Sequence, residues 1–291
     1  GAITAEAAEK TGLAPSTHIV SISHDQVSAA IGAGAFDSSV AVDGAGTVEC
    51  VTPIYDSIPD IDAMYDGYFS IVPYVIPGKY VAYAFSYTGG ALIQWCVDNL
   101  AKDEKRAAAD RDLSVNEYLE KKYATERGEE NPSNLLILPH FAGAATPYMD
   151  TGSKGAILGL TTDTTVADIY RGCMEGVVYE MLVNTSALKK SGCKFKKLNA
   201  TGGGARSGEW MQMKADMLNV PITALKTVDA GTVGSAMLTG IATGVFKDLN
   251  DAAEHMVEET VEYLPRKEMH EKYMHIFERY AKVYQAVRPL V

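Results

Sequence analysis

Residues 198–220 read LNATGGGARSGEWMQMKADMLNV. An apolar run passes into Gly202, Gly203 and Gly204, and then into a polar helix start at Ser207, an aromatic, a glutamine and an Ala-Asp pair. That order predicts a strand, a glycine turn and a helix, which is the repeating unit of an α/β layer architecture. A residue without Cβ reaches positive φ and lets a ligand touch backbone N–H groups, so the triplet is a candidate phosphate turn. Taken alone, a glycine turn between a strand and a helix is more often a plain connection.

Two upstream segments add to it. In AVDGAGTVECV, Gly46 and Thr47 form a tight turn between two alternating β-branched runs, with a hydroxyl where a phosphate can lie; an ordinary hairpin turn is the competing reading. In STHIVSISHDQVSAAIGAG, a β-rich run stops at His24-Asp25-Gln26 and continues into an Ala-rich helical pattern. Asp25 therefore stands at a strand end and a helix start, placed either to cap the helix or to accept a hydroxyl proton.

Together these segments resemble the FGGY carbohydrate kinases, the family of glycerol, xylulose and gluconate kinases. Thr146 and residues 147–180 strengthen the resemblance, through Thr146, Pro147, Asp150, Lys154, Gly155, Gly159, Leu160, Arg171, Glu175 and Gly176, which follow the family's order. A fifth match is AGTVGSAMLTGIATGVFKDL, similar to the family's small-residue helix and its Gly-Val-Phe-Lys-Asp-Leu end. Departures occur at Gly172, Cys173, Ser153-Lys154 and Asp229; they bear on the subfamily and hence on the sugar.

The resemblance implies an actin-like ATPase (ribonuclease H-like) fold, with a mixed sheet flanked by helices. It also implies a division at residue 35, with 1–35 as the end of the family's sugar-binding first domain and 36–291 as its nucleotide-binding second domain. The family's opening Asp-x-Gly-Thr strand is not found in this sequence, so the chain alone is expected to be inactive. By the same resemblance Asp25 is the catalytic base, Gln26 touches the substrate, Gly46 and Thr47 contact the ATP phosphates, and Gly203, Gly204 and Ser207 line the α-phosphate and adenosine side. ATP and magnesium are the implied cofactors, a sugar or polyol the implied substrate, and a homodimer the family's common assembly. The alternatives are a non-catalytic nucleotide-binding module of the same fold and an interaction domain whose glycine turns are only turns.

Composition agrees with a globular chain: 291 residues at 47% hydrophobic content suffice for a substantial core. With 37 acidic against 26 basic side chains the formal charge is −11, and no Lys/Arg cluster interleaves with aromatics, which argues against nucleic acid. Backbone turns and helix N-termini supply a local positive field whatever the net charge. Cys50, Cys96, Cys173 and Cys193 contain no C-x-x-C pair and read as free thiols of a cytoplasmic protein. His270 and His275 are five positions apart, the wrong spacing for ligands on one helix face, so no metal site is expected. Nor is there an apolar run near bilayer length.

Along the chain the pattern predicts helix, strand and helix to about residue 35, a hairpin over 38–53, and strand-like alternation through a tyrosine-rich region to Tyr87. Leu92, Trp95, Cys96 and Leu100 then give a core-facing helical stripe, and AKDEKRAAADRD a solvated surface stretch. A buried strand in NLLILPHF, a long helix over 164–190, the strand KFKKLNA, the glycine turn with its helix, the strand PITAL and closing helices complete the order.

Overall fold

The expected hairpin forms as β1 (Val40–Ala45) and β2 (Glu49–Thr52), in a computed structural model that describes all residues from 1 to 291. The later strands are β3 (Ile54–Tyr55), β4 (Ser70–Pro73), β5 (Tyr80–Ser86), β6 (Leu136–Leu138), β7 (Ala156–Leu158), β8 (Lys197–Thr201), β9 (Ile222–Leu225) and β10 (Glu259–Tyr263). Across the main sheet the order is β10-β9-β8-β1-β2-β5-β3, with β4 also paired to β5, while β6 and β7 form a separate antiparallel pair. β8 runs parallel to both β1 and β9 and the remaining pairings of the sheet are antiparallel, so the sheet is mixed.

Twelve α-helices accompany the strands. The first six are α1 (Ala5–Thr11), α2 (Asp25–Gly32), α3 (Ile61–Asp66), α4 (Gly90–Asn99), α5 (Lys102–Ala109) and α6 (Val115–Arg127). After them come α7 (Val166–Lys190), α8 (Gly208–Leu218), α9 (Ala230–Ala242), α10 (Leu249–Met256), α11 (Lys267–Tyr280) and α12 (Val283–Val287). None is long and apolar enough to cross a membrane.

Strand alternation sorts the core into two layers. Ala41, Val51, Ala82 and Leu198 face α4, α7, α8 and α11, whereas Val42, Cys50, Val81 and Leu225 face α2, α9 and α10. The second layer depends on a close helix crossing. A Cβ at Gly32 would lie 1.9 Å from the Ala230 carbonyl oxygen, and one at Gly234 would lie 1.9 Å from that of Ser28. Ser28 Oγ adds a 2.8 Å hydrogen bond to Gly231 O, so the C-terminal half of α2 meets the N-terminal part of α9 backbone to backbone.

Two expectations change. The β-rich run 16–23 forms only the bridge Ala2–His18, because no neighbouring strand pairs with it and a strand needs a partner ladder. The charged stretch after residue 100 is on the surface as expected, but it folds as α5, tied to α6 by Lys122 and Glu104 at 3.2 Å.

Candidate functional site

Parallel pairing sets Gly44 of β1 beside Thr201 of β8, so the turns that follow these strands emerge side by side at the carboxyl end of the sheet. Open α/β sheets bind ligands in this place. Gly202 has φ +96°, and a Cβ there would lie 2.5 Å from the Ala45 carbonyl oxygen. A Cβ on Gly204 would meet Trp210 at 2.8 Å and Ala45 Cβ at 3.0 Å. Gly203 differs: nothing lies within 4 Å of its Cβ position. The outer glycines are thus needed to close the turn against β1, while the middle one leaves its backbone open to a ligand.

Helix α4 begins on the other turn. Gly90 N–H donates to Gly46 O at 2.9 Å and Ala91 N–H to Thr47 O at 3.1 Å. Only glycine fits at the helix start, since a Cβ on Gly90 would lie 2.9 Å from Gly46 O and one on Gly89 2.9 Å from the Val48 carbonyl carbon. Ser207 caps α8 by accepting Trp210 N–H at 3.2 Å. Two helix N-termini therefore open onto the same space as the two turns, where their dipoles favour an anion.

That space is a cavity of about 1270 Å³ whose walls include Gly46, Thr47, Gly203, Gly204 and Ser207. Five of the seven residues singled out from sequence thus converge, from segments more than 150 positions apart. Arg206 is the cationic side chain of the lining, against the carboxylates of Asp98, Glu117 and Glu120. Anion binding would rest on backbone and helix ends rather than on a cluster of lysines. Glu120, on α6, accepts Ser207 Oγ–H at 3.1 Å; its burial, with the nearby Glu209 carboxylate second, pushes its pKa up to about 7.

The cavity lining lacks Asp25 and Gln26. Asp25 is the first residue of α2, with His24 at the cap; its Oδ1 accepts Gln26 N–H at 2.8 Å and lies 3.1 Å from His24 Nδ1. The side chain is 80% exposed. It is nonetheless linked to the site by the α2–α9 crossing: a Cβ on Gly231 would lie 3.7 Å from Asp25 O, and Val228, just ahead of α9, lines the cavity.

The C-terminal-domain model of the FGGY family of carbohydrate kinases matches residues 45–243, which include both turns and the helices between them. The chain belongs to that family. A xylulose kinase from Staphylococcus epidermidis is 26% identical over 288 residues, covering 99% of this chain and 54% of that protein. A glycerol kinase from Alkaliphilus oremlandii is 32% identical over 200 residues, covering 67% of this chain and 37% of that protein. Among solved structures, a ligand-bound xylulose kinase from Lactobacillus acidophilus matches with TM-score 0.81 at 24% identity over 98% of this chain and 55% of that one. A Plasmodium falciparum glycerol kinase with ADP matches with TM-score 0.76 at 18% identity, over 98% and 54%. The chain spans about half the length of the curated xylulose kinases it matches.

Thr146, Asp150, Arg171, Glu175 and Gly176 of the FGGY motifs have structural work. Arg171, buried, donates to Glu175 at 2.9 Å and to Tyr273 OH at 2.8 Å, and also pairs with Glu209; Glu175 in turn accepts Ser133 N–H at 3.0 Å. A Cβ on Gly176 would lie 2.3 Å from Ile137 O, so that glycine brings α7 against β6. Thr146 bridges to Phe85 of β5, accepting its N–H at 2.8 Å, and Asp150 holds Arg288 and Tyr284.

Sequence reading missed Glu120 and the second role of Trp95. Trp95 packs against the core with Leu92 and Cys96, as the stripe predicts, but it is only partly buried and also lines the cavity, because the stripe's edge faces the groove between α4 and α6. For Glu120 the available signal was the Ser114-x-x-Glu117 capping box, which starts a helix with Leu119 and Tyr123 inward and so puts Glu120 at the edge of the buried face.

Proposed function

We propose that this FGGY chain supplies the nucleotide-binding part of a kinase that moves the γ-phosphoryl group of ATP onto a hydroxyl of a sugar, sugar acid or polyol. The observation that carries the reading is the convergence of Gly46, Thr47, Gly203, Gly204 and Ser207 on one cavity at the carboxyl end of β1 and β8. The relatives, a xylulose kinase and a glycerol kinase, and an ADP-containing structure of the same fold support it.

In this reading Gly46, Thr47 and the α4 N-terminus meet the phosphates, while Gly203, Gly204 and Ser207 line the α-phosphate and the nucleoside. Asp25 accepts the proton of the acceptor hydroxyl as its oxygen forms the new P–O bond and the bridging bond to ADP breaks; Gln26 hydrogen-bonds the substrate. In a loose phosphoryl-transfer transition state the proton leaves late and positioning carries most of the rate. The room around Gly203 and the open backbone of the turn fit a polyphosphate. No group of three or more His, Cys, Asp or Glu side chains converges on a metal position. Magnesium, which neutralises phosphate charge when bound, would therefore be held chiefly by the nucleotide. Buried free thiols at all four cysteines fit a reducing, cytoplasmic setting. Residues 1–35 would belong to the sugar-binding side and 36–291 to the nucleotide side.

Titration of Thr47→Val with magnesium-ATP tests the phosphate assignment: affinity falls on the order of tenfold through loss of one hydrogen bond to a charged group. Equal affinity in the variant contradicts it. The exposed position of Asp25, outside the cavity, favours a second reading for the chain by itself, a nucleotide-binding module without transfer. Release of ADP in the presence of a panel of ketoses, sugar acids and polyols separates the two.

A further inference from the structure

Glu120 reaches the cavity from α6 and is held by hydroxyls of two other helical segments. Ser207 Oγ donates to its Oε1 at 3.1 Å, and Tyr170 OH, from α7, donates to the same oxygen at 3.5 Å. An ionised Glu120 can only accept, so Ser207 Oγ donates to it while accepting Trp210 N–H. Both hydroxyl hydrogens thus converge on Oε1, which orients the carboxyl group and leaves Oε2 available. A carboxylate repels phosphate, so a bound nucleotide places its nucleoside end, not its phosphates, against this wall. The two glycine turns take the phosphate end of the same cavity, and Trp95 and Ile93 supply apolar surface to its lining.

We propose that Glu120 reads the base: its free oxygen accepts the exocyclic amino group of adenine and repels the carbonyl oxygen that hypoxanthine and guanine carry at that ring position. This assignment rests on the nucleotide reading of the cavity and adds to it the choice of adenine. Ser207 then acts through Glu120 as a positioning residue, in addition to capping α8. A site that presents a buried acceptor to a donor rejects the analogue that presents an acceptor instead. Ionisation matters, since a protonated Glu120 can donate to that carbonyl. The charged and titratable groups around it are Glu117 on its own helix, Tyr170 from α7, and Glu209 from α8, the last paired with Arg171. Arg206 from the glycine turn and Asp98 from α4 line the same cavity.

The experiment is calorimetric titration of ADP and of inosine diphosphate into the chain, its Glu120→Gln variant and its Glu120→Ala variant. Unsubstituted protein should favour ADP on the order of 10- to 100-fold, the effect of a hydrogen bond to a charged group. With its amide oxygen held by the Ser207 and Tyr170 hydroxyls, glutamine turns its NH2 to the base, so E120Q should bring the ratio to one or below by gaining affinity for inosine diphosphate and losing it for ADP, whereas E120A should lose ADP affinity without that gain. The preference of the unsubstituted protein should also rise between pH 6 and 7.5 as the carboxyl ionises; the diphosphate is common to both ligands, so its own titration cancels in the ratio. An unchanged ratio in E120Q, or a ratio independent of pH in the unsubstituted protein should E120Q not fold, overturns the assignment of Glu120 alone. Absence of ADP binding to the unsubstituted protein overturns the nucleotide reading and this one with it.

Discussion

Lys214 Nζ lies 2.7 Å from Asp43 Oδ2, with both side chains fully buried, and it pairs at the same time with Glu49. Asp43 is on β1, Glu49 on β2 and Lys214 on α8, with the ammonium 4.6 Å from the centre of the Trp210 ring. One cation thus fastens both strands of the Gly46–Thr47 hairpin to the helix that Ser207 caps. Two acids share one base, and burial first, then the Asp43 charge, holds the Glu49 pKa well above the usual carboxylate range. Burial thus favours the neutral form of Glu49 beside the Lys214 ammonium.

This cluster predicts an asymmetry. Lys214→Met leaves two acids buried without a cation and should cost about 3–5 kcal/mol of stability, as removal of one partner of a buried pair does. Glu49→Gln replaces a protonated carboxyl by an amide of the same shape and should cost about 1 kcal/mol or less. Urea unfolding of both measures the difference; equal losses contradict the protonation pattern.

Glu120 gives a pH dependence with a definite sign. The unfolded chain releases this proton near the ordinary value of 4.5 and the folded chain near 7, so between these values unfolding releases a proton. The stability from Glu120 is complete below pH 4.5 and is lost as pH rises toward 7. Stability curves of unsubstituted and Glu120→Gln protein should therefore converge or cross with rising pH across that window; parallel curves count against the burial of Glu120.

The glycine triplet separates folding from binding. Gly202→Ala puts a Cβ 2.5 Å from the Ala45 carbonyl oxygen at φ +96° and should destabilise by about 1–3 kcal/mol. Gly203→Ala meets open space, so its stability should stay within about 0.5 kcal/mol of the unsubstituted protein. Thermal unfolding compares the two directly, and equal losses would show that the turn does not have this geometry.

For Asp25, the proposed base, Asp25→Asn should lower turnover on the order of 10²–10⁴-fold in any form of the protein that phosphorylates a sugar, with nucleotide affinity nearly kept. Steady-state kinetics beside an ADP titration makes the distinction; unchanged turnover removes the assignment.

The parts of the fold and site that were legible in sequence share a cause: the signal was local. Strand, glycine turn and helix follow one another in 198–220, and the hairpin around Gly46 carries its own alternation, so neighbouring residues sufficed. β10 was missed because Glu259–Val261 are exposed at a sheet edge and show no apolar alternation. The run 16–23 was overread for the opposite reason, having strand composition without a partner. Nothing local marks Lys214, whose burial depends on Asp43 and Glu49, 171 and 165 positions away in sequence. Glu120 likewise acquires its role from Ser207, 87 positions away.

The account depends most on the cavity being a nucleotide site, and calorimetric titration of magnesium-ADP into the chain and into Gly203→Val tests this most directly. The structure gives Gly203 no neighbour within 4 Å of a Cβ, so the variant should fold and fill only the space a phosphate would take. Saturable binding by the unsubstituted chain, weakened on the order of tenfold or more in the variant, is the predicted result. Equal affinity in both, or no binding to the unsubstituted chain, contradicts it.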